Sequence, residues 1–158
     1  MTARIMTRQT IIILLTVSLL CGCTQGVVYS GFKDVSPVAW NKDSSVTFTF
    51  HVTDTVQPYN VLLNVRHQDN YPYQNMWLFL TTTDPSGTQM SDTIEFYLAD
   101  ERGKWLGNGL NGHVSMPVLY EQNYLFADTG TYSLSIRHGM RTDELRGVSQ
   151  IGLEIQEP

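Results

Sequence analysis

Cysteine is nearly absent from this sequence: there are two, Cys21 and Cys23, and everything after them is thiol-free. That excludes an intrachain disulfide, a Cys-ligated zinc site and a thiol nucleophile from the rest of the chain. Long apolar runs are absent too. The run Ile11 to Leu20 is interrupted by Thr16 and Ser18 and falls short of the roughly 20 residues a spanning helix needs. Basic residues are scarce, 10 Lys and Arg against 15 Asp and Glu, and they form no cluster, so nucleic acid is excluded as a partner on electrostatic grounds. No segment keeps a 3.6-residue apolar period for as long as about three turns, so no helix is expected. There is no nucleophile elbow, no phosphate-cradling glycine loop and no carboxylate pair brought together by spacing, so no catalytic residue and no enzymatic activity are assigned.

What is present begins with Arg4 and Arg8 ahead of a short apolar run, the pattern of a secretory signal. "LCGC" places Leu20, Cys21 and Gly22 immediately before Cys23. That arrangement resembles a bacterial lipobox, which implies diacylglycerol on the Cys23 thiol, cleavage before Cys23, and a fatty acid such as palmitate on the new amine. An ordinary secretory signal with two incidental cysteines is the plainer alternative. The expected organisation is a signal peptide over 1–22, a lipidated tether over 23–31 and one domain over 32–158. Two or three acyl chains hold a protein on a membrane where one gives only marginal binding. Apart from that covalent lipid, no cofactor is expected. The formal charge of −5 becomes more negative when Arg4 and Arg8 leave, because no acidic residue precedes Cys23.

Strict alternation governs the rest. In "SVTFTFHVT" Val46, Phe48, Phe50 and Val52 point one way and Thr47, Thr49, His51 and Thr53 the other, the signature of a half-buried strand. "GTYSLSIRH" repeats it with Tyr132, Leu134 and Ile136 inward, and "DTIEFYLA" with Ile94, Phe96 and Leu98. Further strands are expected at 60–67, 76–83, 120–126 and 149–156, with a weak one near 27–32. Met76 to Leu80 is continuously apolar, as a strand covered on both faces would be. "DPSG" at 84–87 suits a type I turn, and Gly130 supplies a positive φ. Seven or eight short strands without helices predict an antiparallel β-sandwich, either jelly-roll or immunoglobulin-like.

Four histidines, His51, His67, His113 and His138, lack the close spacing that puts two imidazoles on one face, so no metal site is assigned. His51 reads as a solvent-facing strand residue and the others as loop or strand-end residues. The most unusual stretch is "YLADERGKWLGNGLNG", where Trp105 stands among charges and glycines. It is either a partner-binding anchor or a ring folded back over an open end of the sandwich. Tyr59, Tyr71 and Tyr73 flank the strand at 60–67 and would form an aromatic rim if their loops share one end; pinning of loops is the alternative.

Several segments in order, "DTVQPYN", "NYPYQN", "GKWLGNG" and "RHGMRTDELRGVSQIGLEI" after the lipobox cysteine, resemble the gliding-motility lipoprotein family GldH. The resemblance runs from about residue 23 to 156. It implies a lipid-anchored protein of the Bacteroidetes cell envelope, on the outer membrane with its domain in the periplasm. It further implies a non-enzymatic interaction or scaffold part of a gliding-motility or associated secretion machinery, with other envelope proteins as partners. A lipid-anchored glycan-binding module is the alternative.

Overall fold

The computed structural model describes residues 26–36 and 38–158; the segment expected as a signal peptide and Cys23 lie outside the described residues. In chain order the strands are β1 (Val27–Asp34), β2 (Trp40–Asn41), β3 (Val46–Val52), β4 (Tyr59–Gln68), β5 (Asn75–Thr83) and β6 (Gln89–Tyr97). They continue as β7 (Asn108–Leu110), β8 (His113–Tyr124), β9 (Gly130–His138), β10 (Glu144–Leu145) and β11 (Val148–Gln156).

One sheet has the order β1-β11-β4-β8-β7, the other β3-β9-β5-β6, and β10 pairs with β2 separately. The pairing is nested: β5 with β6, then β4 with β8, β3 with β9 and β1 with β11, all antiparallel. Folding the chain as concentric hairpins divided between two sheets is the jelly-roll solution, and it decides between the two sandwiches that alternation alone allowed.

Alternation decides what fills the space between the sheets. Phe48, Leu63, Leu78, Leu80, Ile136 and Ile155 are all at or below 1% exposed, and Phe50, Tyr59, Phe126 and Tyr132 form an aromatic cluster whose Phe50 and Tyr132 rings stack at 5.8 Å. Ile94 and Phe96 are half-buried against this core, while Thr49 and His51 face solvent. The expected turn at Asp84 is present: its carbonyl accepts from Gly87 N at 3.0 Å, and its carboxylate accepts from the N–H of Ser86 and of Thr88 at 2.8 Å each.

The structure refines four expectations. The weak strand expected near 27–32 is present as β1, tied to β11 along its length, so strand begins at Val27 inside the segment expected as tether to residue 31. The strand expected at 120–126 spans 113–124 instead; Pro117 had obscured it, but beyond Ser115 β8 is an edge with β4 alone beside it, where a missing N–H is tolerated. His67 and His138 stand at strand ends as expected but are fully buried, at 0% and 1% exposure. The strand through Met76 to Leu80 is covered on one face only: Met76, Leu78 and Leu80 are buried, and Trp77 and Phe79 are each 38% exposed.

The register also defines two ends. Val27, Tyr59, Val52, Tyr124 and Gln156 mark the end where the chain enters, called proximal here. His67, His113, His138 and Asn75 mark the distal end.

Candidate functional site

The expected aromatic rim is not a single rim. Tyr59 opens β4 at the proximal end and Tyr71 follows β4 at the distal end, and both are core residues at 3% and 4% exposure. The Tyr59 hydroxyl donates to Asp54 O at 3.1 Å and the Tyr71 hydroxyl to Asn75 O at 2.9 Å. These tyrosines pin loops, and burial raises both phenols above their ordinary pKa.

Trp105 closes the distal end. The Asp100 carboxylate accepts from Arg102 N at 2.9 Å and Lys104 N at 2.8 Å, Gly103 takes φ +78°, and Leu106 N donates to Leu98 O at 2.8 Å. That tight turn folds the indole back, half-buried, with its centroid 4.5 Å from the His67 ring and 6.4 Å from Tyr71. From Tyr71 the aromatic contacts continue to Tyr73, edge-on at 5.8 Å, and Tyr73 is exposed.

Tyr73 opens onto a surface that sequence reasoning missed, the outer face of β5. Trp77 and Phe79 alternate outward there, beside a groove of about 540 Å³ that Tyr73, Asn75, Thr93, Met140 and Arg141 also line. Gly139 makes the groove floor. A Cβ on it would stand 3.1 Å from the Phe79 ring and 3.2 Å from Trp77 Cβ, so its bare backbone is what lets the ring lie down. The Arg137 guanidinium is 5.1 Å from the Phe79 centroid, a cation–π contact that holds the ring against the sheet. Towards the proximal end the same face turns to hydroxyls, with Thr47 and Ser135 joined at 2.6 Å. The signal was available: an antiparallel sandwich has no third layer, so the second face of "MWLFL" has nothing to cover it among the described residues.

The two buried histidines support this end from inside. His67 Nδ1–H donates to Gln68 O at 3.0 Å and His138 Nε2–H to Trp40 O at 2.9 Å, leaving His67 Nε2 and His138 Nδ1 without a partner. Burial pushes both pKa values below 6.5; the backbone acceptors oppose the shift, as do Asp69 beside His67 and Glu144 beside His138, while Lys42 adds to it at His138. Among the described residues no group of three or more His, Cys, Asp or Glu is placed to hold a metal ion. Because the unfolded chain takes up these protons at higher pH than the folded one, stability is fully present above pH 6.5 and is lost as pH falls below it, towards the lowered folded values. Thermal melts at about pH 7.5 and about pH 5.5 are expected to show the lower midpoint in acid, and His67→Gln with His138→Gln to flatten that difference.

Fold and surface together define a single all-β jelly-roll domain with a bare aromatic sheet face. The chain matches the model described as GldH lipoprotein over residues 27–155, and it belongs to that family. It is 32% identical over 153 residues to the gliding motility lipoprotein GldH of Flavobacterium johnsoniae, covering 92% of this chain and 94% of that protein. A GldH homolog from Christiangramia forsetii is 29% identical over 153 residues, covering 92% and 93%. Among solved structures, a family GH115 4-O-methyl-α-glucuronidase overlaps at TM-score 0.49 and 13% identity, over 86% of this chain and 18% of that one. The cellulose-specific carbohydrate-binding module CBM28 overlaps at TM-score 0.42 and 12% identity, over 78% and 69%. At that overlap their ligands say nothing about this chain.

Proposed function

We propose that this protein is a lipid-anchored component of the cell envelope that docks another envelope protein in a gliding-motility or associated secretion machinery, without catalysing a reaction. Family membership supports the envelope setting and a lipid anchor; in this reading the acyl lipid is on Cys23, the anchor is in the outer membrane and the domain is in the periplasm. The observation that carries docking is the exposure of Trp77 and Phe79 on a strand whose sequence is apolar on both faces. Trp, Tyr, Phe, Met and Arg are the residue types enriched at the cores of protein interfaces, and all five line or border this groove. From Tyr73 at the groove's edge, aromatic contacts run inward through buried Tyr71 to Trp105, so Trp105 packs behind the groove and does not line it. The groove runs along the outer face of β5 from Tyr73 and Asn75 at the distal end to Phe79 at mid-strand.

Trp77→Ala is expected to leave folding and abundance normal and to weaken partner recruitment by at least about 2 kcal/mol, the size of an interface hot spot. Co-purification after mild detergent extraction measures it, and a gliding host would lose spreading at normal protein level. Undiminished recruitment by Trp77→Ala and Phe79→Ala together removes this face as the site. A polysaccharide is the second reading, favoured by an aromatic pair two residues apart with Asn75, Thr93 and Arg141 around it. Saturable binding of polysaccharide by the purified domain, abolished in Trp77→Ala, selects it.

A further inference from the structure

A second cavity lies on the other side of the core, between the free edges of the two sheets. It measures about 230 Å³, and its floor is Phe50, Val61, Phe126 and Leu134. Its walls are edge strands: Met90 and Asp92 from β6, Tyr120, Glu121 and Tyr124 from β8. β8 is pushed out here by register shifts opposite Val61 and by Asn123 in a left-handed conformation at φ +54°, its N–H held by the Asn60 side chain at 3.1 Å. Bulges of this kind re-aim side chains and end pairing beside binding sites. Across the mouth the Tyr120 hydroxyl donates to Asp92 Oδ2 at 3.2 Å. Burial, then the Asp92 charge, raises that phenol above its ordinary pKa, so it stays a donor.

The surroundings are electrostatically one-sided. Asp92 and Glu121 stand at the mouth, and Asp54, Asp84, Asp128 and Glu157 occupy the proximal turns and the C-terminal segment. Every Lys and Arg after Arg8, from Lys33 to Arg146, sits in a distal strand half or distal loop, and none lines the cavity. Apolar tips add to the acidic end: Val56 is 86% exposed, Met90 65% and Leu125 56%. Cys23 precedes Val27 by four residues, a reach of at most about 14 Å, so an anchored chain holds this end close to the bilayer.

We propose that the cavity between β6 and β8 receives an apolar side chain from a cationic segment of a membrane-embedded partner, with Lys or Arg of that segment pairing with Asp92 and Glu121. An extended segment has a template in β6, whose outer edge has no neighbouring strand among the described residues. A carboxylate-only rim steers such a segment in and repels anionic lipid headgroups. This site is separate from the aromatic face, and its test does not read partner recruitment through Trp77.

The probes are a fluorescent peptide KFKLK and its acidic counterpart EFELE, titrated by anisotropy against the full chain in micelles of a neutral detergent. KFKLK is expected to bind at least about tenfold more tightly than EFELE and to weaken as salt is raised from about 50 mM to about 500 mM. Asp92→Asn with Glu121→Gln is expected to remove the preference for the cationic peptide. Thr82→Phe fills the cavity from β5 and is expected to abolish binding, with a circular dichroism melt reporting its fold. Equal binding of both peptides, or a preference unchanged by the double variant, overturns the proposal. So does binding of phosphatidylethanolamine vesicles or dodecylamine without binding of KFKLK, which would make the occupant a lipid.

Discussion

Phe48→Ala is expected to lower stability by about 3–5 kcal/mol, the cost of a fully buried phenylalanine lost together with the cavity it leaves. Phe48 sits mid-strand in β3, 0% exposed, edge-on to Tyr29 at 6.4 Å and opposite Leu134 in the register. Its neighbours come from both sheets and cannot collapse into the space without moving a hydrogen-bonded strand. Thr49→Ala, one residue along on the solvent face, is expected to stay within about 0.5 kcal/mol. Urea unfolding with a common m-value reads both. Equal losses for the two variants would mean that the inward and outward faces of β3 are reversed.

Cys23→Ala is expected to abolish fatty-acid labelling and membrane retention while leaving the domain folded. The reason is additive: each buried methylene contributes about 0.8 kcal/mol to membrane binding, so removing every acyl chain removes the whole anchoring term. No strand depends on the thiol, because β1 begins at Val27 and is held by β11. Cys21→Ser is expected to change neither labelling nor retention, since cleavage before Cys23 would remove Cys21. Labelled fatty acid persisting on the Cys23 variant would refute the assignment.

The strands that the sequence made legible are those whose alternation is complete within one segment. β3 and β9 are such cases, and their pairing places Phe48 opposite Leu134 and Phe50 opposite Tyr132. β8 was half-read because a proline inside a strand is informative only once the edge is known. The two-residue pair β2 and β10 carried no periodic signal, yet it buries Trp40 and Leu145 at 1% and 0% exposure and closes the distal end over His138. The site was read unevenly. Trp105 stands out in the sequence among charges and glycines, but its packing against His67 depends on residues 38 positions apart in sequence.

By itself the sequence determined that the chain folds as a β-sandwich and which residues face its core, and it carries the pattern that makes Cys23 the expected point of lipid attachment. Those properties are set by local chemistry: a two-residue period, turn residues and a short apolar run followed by a small residue and cysteine. Tertiary structure alone decided the jelly-roll order, the uncovered aromatic face on β5, the burial of His67 and His138, and the gathering of carboxylates around an apolar cavity at the proximal end. Each of these depends on which distant strands become neighbours. Nested pairing brings β6 and β8 to the same side of the molecule and leaves β5 without a third layer, and alternation along a single strand is blind to what lies across from it.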